Sequence, residues 1–176
     1  VPVPFYHCFG MVLGNLAAMT AGATVVIPSP SFEAEATLRA VESERCTALH
    51  GVPTMFIAEL AHPDFGSFDL STLRTGVMAG SPCPVEVMKQ CVDLMNMEKV
   101  TICYGMTETS PVSTQTLPDD DLRRRTETVG RAMPQIDIKI VDPQTGVSLP
   151  AGQQGEVCCR GYSVMKGYYK MPEAMA

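Results

Sequence analysis

The sequence is short of positive charge. Its 13 lysines and arginines face 19 aspartates and glutamates, for a net charge of −6. Nucleic-acid surfaces usually carry a basic excess, so this balance argues against one. C-x-x-C is missing as well. The seven cysteines, Cys8, Cys46, Cys83, Cys91, Cys103, Cys158 and Cys159, are odd in number and irregularly spaced. That argues against a disulfide framework or a zinc site and fits a reducing, intracellular compartment. Adjacent Cys158 and Cys159 are expected on opposite faces of a strand, as packing residues. No long uninterrupted apolar run occurs. The most lipid-like stretch, residues 11–27, is interrupted by Asn15, Thr20, Thr24 and two glycines, and Pro28 follows. A helix and then a buried strand fit it better than a transmembrane segment. There is no signal-peptide pattern, no initiating Met, no internal repeat and no low-complexity segment. The chain opens on VPVPFYHCFG and closes on KMPEAMA, as an excerpt from a longer protein would, so missing targeting information says nothing about location. G-x-G-x-x-G after a strand is also missing, which argues against a dinucleotide-binding oxidoreductase.

What is present suffices for a core. The 176 residues are 45% hydrophobic and 18% charged, enough for one domain or one and a fraction. Residues 11–20 predict a buried helix with Gly22 placed to end it, and ATVVIP, 23–28, a buried strand. In 29–46, Ala34, Leu38 and Val41 share a helical face, with Glu33 and Glu35 near the start and Arg45 near the end. TALHG, 47–51, reads as a strand, and Pro53 as the first residue of another helix. RTGVMAG, 74–80, is a strand. Val85, Met88, Val92 and Met95 line a helix that begins near Pro84, and VTICYG is the next strand. This alternation predicts an α/β fold, a mostly parallel sheet flanked by helices. In such sheets ligands bind beyond the carboxyl ends of the strands, where AGSPCP and YGMTETSP fall. Residues 1–117 are expected to form this α/β unit. Residues 118–176 are expected to form a linker and the start of a smaller β-rich unit, with Ile136, Ile138 and Ile140 on one strand face. DDDLRRR, 119–125, could dock the phosphates of a ligand, but a solvated loop of offsetting charges is the preferred reading.

TICYGMTETSP, 101–111, ends an apolar strand in an aromatic, a glycine, hydroxyls and one carboxylate. Tyr104 could stack on a flat heterocycle. Gly105 allows close backbone approach, and Thr107 could donate to a phosphate oxygen. Glu108 could hold Mg²⁺, a hard cation that often bridges to phosphates. The competing reading, a threonine-rich turn with a solvated Glu108, stands level with this on the residues alone.

YGMTETSP closely resembles a core motif of the adenylate-forming superfamily, which includes acyl-CoA synthetases, amino-acid adenylation domains and beetle luciferases. PFYHCFG at 4–10, AGSPCP at 79–84, TVGRAMPQIDIKIVD at 128–142 and GEVCCRGYSVMKGYY at 155–169 are similar to further family segments in the family's order. The resemblance spans nearly the whole chain. It points to the acyl-CoA synthetase branch, of a medium-chain, mitochondrial type.

The resemblance implies a larger adenylate-forming N-terminal domain and a two-step reaction. A fatty acid and ATP give an acyl-adenylate, and coenzyme A then gives a thioester. By motif, Tyr104 would stack on adenine beside Gly80, Ser81 and Pro82, with Gly105 and Met106 completing the nucleotide loop. Thr107 would contact the α-phosphate, Glu108 would ligate Mg²⁺, and His7 would lie beside the acyl carboxylate. The alternative for His7 is a hydrogen-bonded ring in a pocket of Phe5, Tyr6 and Phe9. His50 and His62 are expected to be structural or exposed. PFYHCFG lacks the aspartate with which amino-acid adenylation domains pair a substrate ammonium, so an acid without an α-amine is expected. Val77, Met78 and Met106 would suit an apolar chain, and core packing would explain them equally well. The family's phosphate loop, ribose-binding aspartate, following arginine and C-terminal lysine are not in this chain. By itself the chain is expected to be catalytically incompetent and to expose apolar faces. A noncatalytic nucleotide-binding module and another adenylate-forming enzyme remain as alternatives.

Overall fold

The computed structural model of the protein describes residues 1–175. Phe9–Leu16 winds as a π-helix and runs directly into α1, Ala17–Thr20. Together they make the helix expected over 11–20. The strand expected at 23–28 does not form. That stretch is unpaired, Ile27 is 62% exposed, and the Val26 carbonyl accepts from the Val1 backbone nitrogen at 2.7 Å. β-Branched residues suit a pleated surface, but a strand exists only beside a ladder partner, and none lies here among the described residues.

Helix α2, Ala34–Ser43, buries Thr37, Leu38 and Val41 along one face. Glu33 precedes its first turn without a side-chain capping bond and Glu35 lies in that turn, where the helix dipole favours anions. Helix α3, Pro53–Leu60, begins on proline, whose missing N–H costs nothing there. Strand β1 is Thr75–Met78, helix α4 is Val85–Leu94 and strand β2 is Lys99–Gly105. Residues 47–51 lie parallel beside β1 without closing a regular strand. Leu49 N donates to Thr75 O at 3.1 Å and Gly51 N to Val77 O at 3.0 Å.

Two later strands, β3 (Val112–Gln115) and β4 (Arg131–Ala132), complete a sheet in the order β1-β2-β3-β4. The α/β class holds, with a mixed sheet. β1–β2 is parallel, whereas β2–β3 and β3–β4 are antiparallel. The turn over 106–111 is too short for a crossover, so β3 must return antiparallel. The main core packs α2, α3 and α4 on this sheet through Leu38, Phe56, Met78, Met88, Met95, Met97 and Val100, all fully buried. Each such side chain stabilises the fold by roughly 1.5–3 kcal/mol. A smaller cluster of Val3, Phe9 and Ala79, with Val77 and Cys103 against it, lies at the sheet's carboxyl end.

The charged stretch is not a solvated loop. Leu122–Glu127 forms α5, and Asp121 caps it by accepting from Arg124 N at 2.8 Å. Arg125 is buried and donates to the carbonyls of Glu98 (2.7 Å), Val100 (3.1 Å) and Asp120 (3.0 Å). Its guanidinium satisfies carbonyls at the start of β2 and ahead of α5, so this cation is spent inside the fold. The alternating segment forms β5, Ile136–Val141, paired antiparallel with β6, Glu156–Gly161. Ile136 is buried while Asp137 and Lys139 are exposed. Cys158 opposes Lys139 and Cys159 opposes Ile138, so the two thiols take opposite faces as expected. Ala176, the last residue of the second expected unit, lies outside the described residues. Among the described residues no helix is long and apolar enough to cross a membrane.

Candidate active site

β1 and β2 end side by side, with Met78 paired to Ile102. Beyond them the chain leaves in two loops, 79–84 and 106–111, and a cleft of about 980 Å³ opens between them. His7, Gly80, Ser81, Pro82, Tyr104, Gly105, Met106, Thr107 and Glu108 all line it. These nine residues, expected to hold the nucleotide, metal and acyl carboxylate, therefore meet the same cavity. Its floor is the smaller apolar cluster, through Phe9, Ala79 and Cys103.

Two glycines shape the loops. Gly80 has φ +91°, a conformation that disfavours side chains. A Cβ on Gly105 would stand 1.8 Å from the Pro111 carbonyl oxygen, so nothing larger fits where β2 turns. Cys83 anchors the first loop by donating its thiol hydrogen to Met78 O (3.4 Å) or Ser81 O (3.5 Å). Burial pushes this thiol up to about 11, which keeps it a donor. Thr109 anchors the second loop from inside. Its hydroxyl accepts from Met106 N (3.2 Å) and Ser113 Oγ (3.1 Å) and gives its proton to Met106 O (3.0 Å) or Pro111 O (3.1 Å). With Thr109 turned inward, Thr107 and Glu108 are left to the cleft.

Tyr104 is 36% exposed at the end of β2, and neither aromatic pair among the described residues includes it. Its ring is available for stacking. Thr107 Oγ1 lies 3.6 Å from Cys8 Sγ, which brings the histidine segment against the second loop. His7 is exposed, and its Nδ1 accepts from Phe9 N at 3.0 Å. A neutral ring in that bond carries its proton on Nε2, which can donate to a carboxylate. The aromatic pocket considered for His7 does not form. Tyr6 is 92% exposed and Phe9 stacks instead on His50, at 6.2 Å. His50 is structural: its Nδ1 accepts from Val77 N at 3.2 Å, and burial pushes its pKa down, towards the neutral ring. His62 Nδ1 accepts from Asp64 N at 3.2 Å. Of the residues considered for an acyl wall, Met78 is fully buried in the main core, Val77 is half-buried, and Met106 lines the cleft.

Glu108 has a partner that no motif spacing announced. Tyr168 donates its hydroxyl to Glu108 Oε1 at 2.5 Å, and Met165 N donates to the Glu108 carbonyl at 2.8 Å. The phenol holds the Glu108 carboxyl below its usual range, and the carboxylate raises the phenol above its own. Tyr168 lies within the glycine-tyrosine segment, but its reach to a residue 60 positions away leaves no mark in sequence. Cys8 and the rim from Thr126 to Val129 also escaped sequence reasoning.

The lining contains two acids, Glu108 and Glu127, and no lysine or arginine. Glu127 is already paired with Arg123 Nε at 3.0 Å. Among the described residues no group of three or more His, Cys, Asp or Glu side chains could hold a metal. One carboxylate fits Mg²⁺, which commonly takes a single protein carboxylate and fills its octahedron with phosphate oxygens and water. It does not fit a resident zinc.

Residues 1–169 match the family model described as AMP-binding enzyme. YngI of Bacillus subtilis (strain 168), provisionally named an acyl-CoA synthetase, is 59% identical over 174 residues, 99% of this chain and 32% of that protein. The Danio rerio protein named medium-chain acyl-CoA ligase ACSF2, mitochondrial, is 46% identical over 173 residues, 98% of this chain and 28% of its own length. ATP-bound MatB from Rhodopseudomonas palustris superposes with a TM-score of 0.82 at 30% identity, over 97% of this chain and 33% of MatB. The chain thus spans under a third of the length of these curated relatives. With a family match along nearly all its length and the matching segments gathered at one cleft, this chain belongs to the AMP-binding enzymes.

Proposed function

We propose that the chain is the central part of an AMP-forming acid–thiol ligase that converts a medium-chain fatty acid to its acyl-CoA. The observation that supports this best is the meeting of His7, Gly80–Pro82, Tyr104, Thr107 and Glu108 at one cleft beyond the strand ends. Adenine would lie on the Tyr104 ring, against the backbone of Gly80, Ser81 and Pro82, with Gly105 and Met106 closing the loop beside it. Thr107 Oγ1 would donate to an α-phosphate oxygen, and His7 Nε2 would orient the substrate carboxylate.

In the first step a carboxylate oxygen attacks the α-phosphorus. A P–O bond to the acid forms, the bond to the β-phosphate bridging oxygen breaks, and pyrophosphate leaves. In the second step the coenzyme A sulfur attacks the acyl carbon. The thiol proton is lost, the acyl C–O bond breaks, and AMP leaves. Among the described residues the cleft is lined by no lysine or arginine that could offset the charge of a triphosphate. Mg²⁺ held by Glu108 would offset the phosphate charge as it moves onto pyrophosphate.

The acid is read as lacking an α-amine, because the 4–10 segment PFYHCFG, which brings His7 to the cleft, carries no carboxylate. An α-ammonium would be left without a counter-charge. The medium-chain assignment draws on the name of the ACSF2 relative. Mitochondrial placement rests on that name alone, and the Bacillus subtilis relative cannot share it.

ATP–pyrophosphate exchange by the full-length protein, across a panel of fatty acids and amino acids, tests this reading. Exchange driven by fatty acids of intermediate length, and lost in Glu108→Gln, is expected. Exchange with amino acids alone would overturn the substrate. ATP binding without exchange would mark a noncatalytic nucleotide-binding module.

A further inference from the structure

Glu108 is held twice by one short segment. Tyr168 OH donates to its Oε1 at 2.5 Å, and Met165 N donates to its main-chain carbonyl at 2.8 Å. Backbone and side chain of a single residue are thus both fixed by one distant segment, the side chain from 60 positions away in sequence. Oε2 has no hydrogen-bond partner among the described residues. The terminal torsion of a glutamate is broad, so an untethered carboxylate would sample many orientations. A phenol on one oxygen removes that freedom. Being neutral, it orients the carboxylate without cancelling its charge. It also occupies one oxygen, leaving the other as a single-point ligand, which suits the octahedral demand of Mg²⁺.

We propose that Tyr168 is a positioning residue: its phenol occupies Oε1 of Glu108 and so presents Oε2 as the ligand atom for the metal–nucleotide complex. This rests on the reading of Glu108 as a metal ligand. Groups that orient metal ligands from behind are commonly worth about 10–100-fold in metal affinity. Arginine or lysine at position 168 would orient Glu108 equally well but would neutralise it. Tyrosine therefore combines geometry with retained charge.

The test uses the full-length protein with Mn²⁺ as the probe, its binding followed by water-proton relaxation at saturating ATP. Tyr168→Phe is expected to raise the Mn²⁺ dissociation constant about tenfold. Affinity for ATP without metal should stay unchanged. Glu108→Gln should weaken Mn²⁺ binding at least as much, and adding Tyr168→Phe to it should cost nothing more. In ¹³Cζ-tyrosine-labelled protein, the resonance missing from Tyr168→Phe should shift in Glu108→Gln. Loss of ATP affinity in Tyr168→Phe, equal with and without metal, would reveal a merely structural residue and overturn the proposal. Unchanged Mn²⁺ affinity in Tyr168→Phe, with weakened binding in Glu108→Gln, would overturn the role of Tyr168 alone. Unchanged affinity in Glu108→Gln would remove the metal ligand itself and both readings with it.

Discussion

Cys8 Sγ lies 3.6 Å from Thr107 Oγ1, so two segments 99 positions apart touch at the cleft. The contact makes a chemical reporter of Cys8. Burial holds Cys83, Cys91 and Cys103 up at about 11, 12 and 12, so little thiolate is available at those positions. Alkylation at pH 8 should therefore strike Cys8 before these three. ATP at ten times its dissociation constant should slow that reaction about tenfold if the nucleotide covers Thr107. Peptide mass spectrometry of the full-length protein reads both outcomes. Indifference of Cys8 to ATP would place the nucleotide elsewhere.

Thr109 holds the second loop through one hydroxyl. Thr109→Val keeps the shape and deletes every bond made by that oxygen, leaving Met106 N and Ser113 Oγ without it. A loss of about 1–3 kcal/mol is expected in urea unfolding. Nucleotide affinity should fall with it, because the turn that presents Thr107 and Glu108 loosens. Thr109→Ser, which keeps the hydroxyl, should restore most of both.

Arg125 should behave as a buried staple. Its three carbonyl partners lie just before β2 (Glu98), within it (Val100) and just ahead of α5 (Asp120). Arg125→Ala should lower stability by about 2–3 kcal/mol, seen as a lower denaturation midpoint. Arg125→Lys should recover only part, since an ammonium cannot reproduce the planar fork. A full rescue by lysine would show that charge alone matters there.

Glu59 supplies a pH dependence with a definite sign. It is 1% exposed on α3, its Oε2 has no hydrogen-bond partner, and burial raises its pKa from 4.5 to about 8. Cys91 faces it from α4. The folded state holds the proton that the unfolded state releases. Its contribution to stability is therefore greatest below pH 4.5, declines as pH climbs towards 8, and is flat beyond. Glu59→Met should flatten the Tm profile between about pH 5 and 9 and stabilise the protein at the alkaline end by about 1–3 kcal/mol. An unchanged profile would mean that Glu59 finds a cationic partner in the full-length protein.

The helix–strand rhythm from residue 34 to 105 was legible because its apolar residues recur at helical spacing or crowd into short β-branched runs. Leu38 with Val41, and Met88 with Met95, turn to the core as that spacing demands, whereas Val85 and Val92 are only half-buried and Val87 and Cys91 take the inner face instead. β3 was not legible because it is buried through hydroxyls. Ser113 and Thr114 lie inside it and Thr116 just beyond, where its hydroxyl accepts from Ile102 N at 2.9 Å. A run of serine and threonine reads as a loop until a partner strand is seen. Residues 23–28 misled in the opposite way, having the composition of a strand and no neighbour to pair with. At the cleft, residues adjacent in the chain could be read together, because a turn after a strand keeps them together. The bond from Tyr168 to Glu108 could not, since no periodicity links a phenol to a carboxylate across two sheets.

Met78, Met88, Met95 and Met97 are all wholly buried beneath or beside β1 and β2. Thioether chains are unbranched and swivel at little cost, so this layer can resettle when a neighbour changes size. The platform that carries both cleft loops is thus upholstered rather than rigidly tiled. Substitutions beneath it should be absorbed by the sulfurs before they reach the adenine side. The same sulfurs are shielded from oxidants, whereas Met106, 47% exposed at the mouth, is open to them, so oxidative damage should begin at the ligand's door and leave its foundations for last.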